Sequence, residues 1–290
     1  GNKNFDDSTA NDPAHIYFSK STDNGFTWTQ KRDITSSLYS ALCTSCTVNT
    51  HKSWKAVNIS SGSGLQLRDG RIIFPLVINS NFAYGSTKNF ILITDDLGEN
   101  WMVTDDGPVT ICSQAKAVEL NNYEVLLSIA QNGSQKFAWS RDRGEKWYSA
   151  NKNDNVQNGN SNGEIKRFTS VLDGYNKNRI LLTLPNNNQG EMKSLTMLIS
   201  YDEGSSWPYK NLIEFGESSY SSIATTPNGD ILVFYEKAGA TPYDLVVANF
   251  SLDWLTNSAD TYQKPSRFRW CLSSEQTSET GRKCPSGAYY

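Results

Sequence analysis

An all-β fold, a six-bladed β-propeller of antiparallel strands, is predicted by a repeated turn motif and by two further hairpin signals. Residues 200–207 read Ser-x-Asp-x-Gly-x-Ser-Trp, and three similar stretches occur earlier in the chain, each after a short run typical of a β-strand. The three are residues 21–28, 94–101 and 140–147. Asp69-Gly70, where two apolar strands meet, and Asn228-Gly229 indicate two more hairpins. Hairpins repeated at roughly blade spacing favour a propeller.

The chemistry of the repeated motif suits a tight turn. In residues 200–207, the side chain of Asp202 can accept hydrogen bonds from backbone N–H groups of the turn. Gly204 allows a positive φ angle, and Trp207 can return to pack against the blade. These roles are structural, so the motif by itself indicates a fold and not a binding site.

Length and composition bound the classes of protein to which the chain can belong. Its 290 residues, 37% of them hydrophobic, suffice for the core of one large all-β domain. The net charge of -3 gives no reason to expect nucleic acid or an anionic membrane as a partner. No run of about 18 apolar residues occurs, so we expect no membrane span. The sequence makes no prediction of the oligomeric state.

Five cysteines are present: Cys43, Cys46, Cys112, Cys271 and Cys284. The first two form a C-x-x-C pair, which fits a zinc half-site, a redox pair or a local disulfide. A zinc site takes four ligands, and the chain has only two histidines, so we expect no metal and no cofactor. We predict Cys43–Cys46 and Cys271–Cys284 disulfides, with Cys112 free and buried.

Three N-glycosylation sequons begin at Asn58, Asn132 and Asn249. Together with the paired cysteines they favour a secreted or cell-surface protein. Residues 151–164, rich in Asn and Gly, predict a loop.

The segments between the turn motifs resemble the sialidase superfamily, of the bacterial and trypanosomal type whose repeated turn is called the Asp-box. In residues 61–76 a Gly-rich strand leads to Asp-Gly-Arg and then to an apolar strand that contains Pro75. The resemblance runs from about residue 7 to about residue 250 in the family's order. It implies a propeller over residues 1–255. Residues 256–290 fall outside it and are interpreted as a polar, disulfide-stapled extension packed on the propeller.

One departure concerns the start of the fold. Sialidases open with a strand ending in Arg-Ile-Pro, well before the first Asp-box, and this sequence begins after that point. Either the strand is missing from this sequence or another segment closes the propeller.

The resemblance also implies a site. In sialidases three arginines bind the sugar carboxylate, a tyrosine attacks the anomeric carbon, a glutamate takes the tyrosine's proton, and an aspartate is the general acid and base. Tyr220, in a Ser-Tyr-Ser segment, corresponds to the nucleophile, with a packed loop tyrosine as the alternative. Glu236 corresponds to the acid that steadies the first arginine, or is an ordinary strand-end glutamate. Asp7 fits the general acid by its spacing to the first Asp-box, or is a solvated terminal carboxylate.

The partner of the tyrosine departs from the family. The family has Cys-Ser-Glu followed five residues later by a second Glu, and this chain has Cys112-Ser113-Gln114 followed by Glu119. An amide cannot accept the phenol proton at neutral pH, and losing such a base typically costs about 10²–10⁴ in rate. The resemblance places Tyr220 at the centre of the open face, with Gln114 within hydrogen-bond reach on a neighbouring blade.

The second and third arginines are also replaced. Gln131 stands where the second is expected, and Lys193 where the third is expected, or Met192 if the alignment shifts by one residue. Lysine keeps the charge but loses the bidentate fork. Arg143 and Arg167 are the alternative candidates for the roles of these two arginines.

These substitutions favour a sialidase-like propeller that has lost or redirected catalysis and binds a glycan or another small molecule in its central pocket. The first alternative is a working exo-sialidase or related glycoside hydrolase with rearranged groups. The second is a structural or protein-interaction propeller.

Overall fold

The structure, a computed structural model, describes residues 15–40, 54–60, 62–80, 87–104, 114–131, 133–148, 151–159, 161, 163–239 and 243–265. Asp7 and all five cysteines lie outside these residues, so their roles and the two disulfides stay predictions.

The described residues form five antiparallel sheets in chain order. The first sheet pairs β1 (Tyr17–Phe18) with β2 (Arg32–Asp33) and is followed by helix α1 (Thr35–Ser40). The second sheet comprises β3 (Trp54–Ile59), β4 (Leu65–Gln66), β5 (Ile72–Ser80), β6 (Thr87–Thr94) and β7 (Met102–Val103). The third comprises β8 (Ala115–Glu119), β9 (Val125–Gln131), β10 (Ser134–Ser140) and β11 (Asn151–Gln157).

The fourth and fifth sheets share one strand. The fourth comprises β12 (Glu164–Thr169), β13 (Arg179–Pro185), β14 (Lys193–Ser200) and the first half of β15 (Tyr209–Thr225). The second half of β15 begins the fifth sheet, which continues with β16 (Ile231–Ala238) and β17 (Tyr243–Phe250). A 3₁₀ turn (Val171–Asp173) lies between β12 and β13, and helix α2 (Leu252–Thr256) follows β17.

Successive sheets pack face to face, with an apolar cluster between each neighbouring pair. Strand β13 shows how the sequence achieves this, because side chains alternate between the two faces of a strand. Ile180, Leu182 and Leu184 face the third sheet, whereas Leu181 faces the fifth. A sheet buried on both faces therefore reads as a continuous apolar run.

The all-β prediction and the predicted hairpins are confirmed, and the count of six blades stays a prediction. Residues 151–164 were predicted to form a loop, and this is wrong, because β11 occupies residues 151–157 and β12 begins at Glu164. β11 is an edge strand paired only with β10 in the part of the chain that is described. Val156 is its one apolar residue and packs in the cluster between the third and fourth sheets, but six polar neighbours left the composition without a strand signal.

Each Asp-box forms the turn that its sequence predicts. In the fourth box the carboxylate of Asp202 accepts hydrogen bonds from Ser206 N (2.8 Å) and Ser206 Oγ (2.6 Å). Gly204 has φ 88°, and the preceding Glu203 also has a positive φ, 60°. The Ser200 hydroxyl accepts a bond from Gly204 N at 2.9 Å. The same serine or threonine contact, at 2.8 Å, occurs in the boxes that begin at residues 21, 94 and 140.

The Asp-boxes define one end of the sheets, here called the box end, and the opposite end is called the open end. Strand β14 runs from Lys193 at the open end to Ser200 at the box end, which separates the two by roughly 23 Å at the usual rise of a strand. Strands β8 and β12 both begin at the open end. None of the helices in the described part of the chain has the length and apolar composition needed to cross a membrane.

Candidate functional site

Tyr220 lies in a β-bulge at the open end. The register between β15 and β16 shifts between Ser218 and Ser221, so that Ser219 and Tyr220 together stand opposite Glu236. A bulge bends its strand and re-aims a side chain. The structure therefore brings two of the predicted site residues, Tyr220 and Glu236, directly across from each other.

The serines around Tyr220 hold its backbone. Ser218 donates its N–H to the carbonyl of Met192 at 2.8 Å, and its hydroxyl accepts from Leu195 N at 3.3 Å. The hydroxyls of Ser221 and Thr183 lie 2.9 Å apart. The tyrosine held between these anchors is 41% exposed, and within the described residues its hydroxyl makes no hydrogen bond.

A buried polar network supports this segment from the third sheet. Gln135 donates from Nε2 to Ser128 Oγ at 2.6 Å and accepts from Asn158 Nδ2 at 2.7 Å. Asn158 Oδ1 in turn accepts from the backbone N–H of Ser161 at 3.2 Å. The hydroxyl of Ser161 lies 3.4 Å from that of Ser219. All five residues are buried, so the network fixes the neighbour of Tyr220 in position.

The turn between β13 and β14 forms a wall of the open end. Asn187 organises it, because its Oδ1 accepts from the backbone of Gln189 (3.1 Å) and of Glu191 (3.2 Å). Gly159 packs against this turn, and a Cβ there would collide with the carbonyl oxygen of Glu191. Only glycine permits that approach.

A cleft of about 380 Å³ opens beside Ser219, the chain neighbour of Tyr220; Tyr220, Glu236, Gln114 and Gln131 are not among the described residues that line it. It is lined by Glu191, Met192, Lys193, Glu217, Ser219 and Tyr243. The ammonium of Lys193 forms an ion pair with the carboxylate of Glu191, and Glu217 is the cross-strand partner of Lys193. Both Lys193 and the alternative Met192 thus line the cleft, but the lysine charge is already matched by a carboxylate.

The two glutamines lie at the open end of the third sheet. Gln114 directly precedes β8, and Gln131 ends the adjacent strand β9; both side chains are half-buried. Within the described residues, no hydrogen bond joins Gln114 to Tyr220. The expectation of neighbouring blades is wrong, because Gln114 belongs to the third sheet and Tyr220 to the fifth, with β12 of the fourth between them.

Glu119 does not join this group. It ends β8 at the box end, roughly 17 Å along the strand from Gln114. There its carboxylate accepts from the backbone N–H of Arg68 at 2.9 Å. Burial raises the pKa of Glu119, and the contact with Arg68 opposes that shift. The side chain holds two sheets together and does not reach the cleft.

Neither candidate substitute arginine reaches the cleft. Arg143 belongs to the third Asp-box and forms ion pairs with Asp69 and, at 3.2 Å, with Asp95. Arg167 binds Glu203 of the fourth Asp-box at 2.5 and 2.9 Å. Both arginines therefore form their ion pairs at the box end.

One buried ion pair lies near the inner edge of the sheets. Lys116 of β8 and Glu164 of β12 are 6% and 5% exposed, with Nζ and Oε2 3.9 Å apart. Burial raises the pKa of Glu164 to about 7, although Lys116 acts to lower it. Burial also lowers the pKa of Lys116. The sequence gave no signal for this pair, because its two members are 48 residues apart, 164 minus 116.

Sequence reasoning also missed Glu191, Glu217, Ser219 and Tyr243 as lining residues. The Asn-rich stretch before Glu191 signals a turn at the end of a strand, which was the available clue. Among the described residues, no group of three or more His, Cys, Asp or Glu side chains is arranged to hold a metal ion.

Comparison of this sequence with known proteins identifies one matching family. The sequence profile described as a BNR repeat-like domain matches residues 1–236. The sialidase of Micromonospora viridifaciens is 28% identical over 249 residues, which cover 83% of this chain and 36% of that protein. The sialidase of Bacteroides fragilis (strain YCH46) is 23% identical over 239 residues, covering 79% of this chain and 41% of that protein.

Solved structures show the same fold. A Hadza microbial sialidase has a TM-score of 0.70 at 18% identity and covers 83% of this chain and 45% of that chain. The leech intramolecular trans-sialidase, complexed with 2,7-anhydro-Neu5Ac, has a TM-score of 0.70 at 19% identity and covers 86% and 38%. The described chain therefore has a sialidase-like propeller fold, and it spans less than half the length of each of these four relatives.

Proposed function

This chain is a BNR repeat-like member of the sialidase superfamily, and on that premise we propose that its cleft binds a glycan or another small molecule without sialidase turnover. The protein is secreted or displayed on a cell surface in this proposal.

One observation carries the proposal. The register places Tyr220, in the bulge of β15, opposite Glu236 on β16, and the adjacent Ser219 lines a cleft. The family resemblance assigns Gln114 and Gln131 to the positions of a sialidase's base and second arginine. Without a carboxylate to take its proton, a phenol is a poor nucleophile at neutral pH. Lys193, the remaining cation, is paired with Glu191. The tyrosine is retained, but the groups that would activate it and bind a sialic carboxylate are not.

Hydrolysis of a fluorogenic sialoside tests the loss of catalysis. We expect the unchanged protein to give turnover near background. The triple variant Gln114→Glu, Gln131→Arg, Lys193→Arg should gain turnover, because it restores a base and two bidentate carboxylate binders. Adding Tyr220→Phe should abolish the gain. Adding Tyr209→Phe, at the box end of the same strand, should not. Turnover by the unchanged protein at ordinary enzyme rates would show that catalysis is retained.

Ligand binding is tested separately from catalysis. A ligand that binds only the folded state raises the melting temperature by mass action. We expect sugars that fill the cleft to raise it, and Tyr243→Ala, which removes a lining side chain, to weaken the effect. Absence of any shift across neutral and acidic sugars would favour the protein-interaction propeller instead.

A further inference from the structure

The charge of the cleft bears on which ligand it accepts. Of the described residues that line it, three have ionisable side chains other than tyrosine, two carboxylates and one ammonium. The ammonium, on Lys193, forms an ion pair with Glu191, and the backbone N–H of Lys193 also donates to the Glu191 carbonyl at 2.8 Å. A ligand carboxylate would have to compete with Glu191 for that lysine.

Glu217 adds an unmatched negative charge. It stands across from Lys193 on β15, is exposed, and makes no ion pair with any other described residue. The next lysine along this end of the sheets, Lys237, is bound to Glu214 at 2.7 Å. The hydrogen bond from Lys237 lowers the pKa of Glu214, so this pair stays ionised and contributes no net charge.

Glu236 adds a further negative charge, at a position closer to Tyr220. It lies opposite the bulge on β16, and it too has no ion pair within the described residues. Sialidase-type recognition needs convergent cations for the sugar carboxylate. Here the described side chains around the cleft present an excess of carboxylates, and no arginine lines it.

We propose that Glu217 is a specificity-determining residue which disfavours carboxylate-bearing sugars, so that the cleft prefers an uncharged glycan. This inference rests on the proposed function, because it assumes that the cleft binds a sugar. It names the class of ligand that the same site accepts. Like charges brought together at an exposed site repel weakly, and salt screens the repulsion.

Binding titrations at low ionic strength and neutral pH test the inference with two probes that differ in one group, a carboxylate in one and its uncharged methyl ester in the other. They are the methyl α-glycoside of N-acetylneuraminic acid and the methyl ester of that glycoside, with methyl lactoside as an unrelated neutral sugar. We expect the ester to bind roughly threefold to tenfold more tightly than the acid. The ratio should shrink toward one in Glu217→Gln and at high salt. Glu99→Gln, the same charge change at the box end, should leave the ratio unchanged.

The possible outcomes separate the two proposals. Tighter binding of the acid than of the ester, or a ratio that Glu217→Gln does not change, would overturn the inference while leaving glycan binding intact. Failure of all three probes to bind would count against glycan binding by the cleft and would overturn this inference with it.

Discussion

Asp260 fastens the chain that follows the last strand to the body of the protein. Its carboxylate accepts hydrogen bonds from Arg179 at 2.7 and 2.9 Å, from Tyr201 at 2.8 Å and from Lys177 at 3.1 Å. Arg179 is fully buried, so the carboxylate is the counter-ion of a charge that has no access to water. Burial raises the pKa of Asp260, but the bonds from Arg179, Tyr201 and Lys177 outweigh it and hold the pKa at about 2.

Asp260→Asn should lower the free energy of unfolding by about 3–5 kcal/mol at pH 7, because it leaves the Arg179 charge buried without a counter-ion. Since the folded pKa lies below the ordinary value of 3.8, the stabilisation is complete above about pH 4 and is lost as pH falls toward about 2. Urea titrations from pH 7 to pH 3 measure both effects. Asp173→Asn, which breaks the half-exposed pair with Arg68, is the control, with an expected loss below about 1 kcal/mol. Equal losses in the two variants would contradict this account.

Single residues of the site were predictable from the sequence only where a local segment carried them. Tyr220 lies between anchoring serines and Lys193 begins a strand, and both lie at the open end, whereas their roles in a site stay predictions. Glu119 did not, because five residues of strand carry it to the other end. The pairing of Lys193 with Glu191 depends on how a turn folds back, which no spacing rule specifies.

At the scale of the element, the four Asp-boxes have the same backbone but different surroundings. Gly25 and Gly204 have φ angles of 87° and 88°. Trp28 of the first box is 63% exposed, whereas Trp207 of the fourth is 8% exposed and stacks on Phe137 of the third sheet. The turn is therefore a local structure that forms alone, and contact with a neighbouring sheet is added to it.

Gly204→Ala should cost more stability than Gly25→Ala, although both place a Cβ on a left-handed residue. At Gly25 the Cβ meets only Trp28, at 3.9 Å, so the expected loss is the conformational term of about 1 kcal/mol. At Gly204 it lies 2.6 Å from Cδ2 of buried Leu126, which adds about 2 kcal/mol of overpacking. Thermal unfolding of the two variants measures the difference. A larger loss in Gly25→Ala would show that contact between sheets is not what distinguishes the boxes.

The sequence predicted elements well where turn chemistry marks their ends. Asp-Gly, Asn-Gly and the Asp-boxes identified hairpins because the required φ angles favour particular residues. It did not predict β11, whose residues are polar except for Val156, or the 17-residue length of β15. The residues Phe215-Gly216-Glu217 within β15 contain a glycine that is typical of a break, yet the backbone pairing continues across it.

At the scale of the whole molecule, Lys116 and Glu164 join two sheets at their inner edges, and the second sheet closes over them. Gly62 lies against both side chains, and a Cβ there would collide with the ammonium of Lys116. Burial raises the pKa of Glu164 from its ordinary 4.5 to about 7. As pH rises, this carboxyl group therefore loses its proton in the unfolded chain at a lower pH than in the folded protein. The free energy of unfolding contributed by this carboxyl group therefore falls as pH rises from about 4.5 to about 7.

Lys116→Met should lower the free energy of unfolding by about 3–5 kcal/mol at pH 8, where Glu164 would be a buried carboxylate without its partner. At pH 5 the loss should be much smaller, because Glu164 is then protonated. The double variant Lys116→Met, Glu164→Gln should recover most of the stability at pH 8, since it buries no charge. Denaturant unfolding at the two pH values measures this cycle. A loss that does not depend on pH would refute the ionisation of the pair.

The family resemblance anticipated the stacked arrangement and the order of site residues along the chain. It did not anticipate that the fourth sheet separates Gln114 from Tyr220. The inner strand of that sheet, β12, follows a polar stretch without strand signals. A residue-by-residue comparison with the family therefore did not show that a sheet lies between these two residues.

The single strand β15 has a consequence for how the protein opens. Its first half closes the fourth sheet and its second half begins the fifth, with no intervening turn. Because the two halves are one continuous strand, we expect the two sheets to open as a single foldon with similar protection in amide exchange. The second and third sheets share no strand and contact each other through side chains. A circular permutation that cuts β15 would split that foldon, whereas new chain ends in the turn at residues 121–123 would leave it whole.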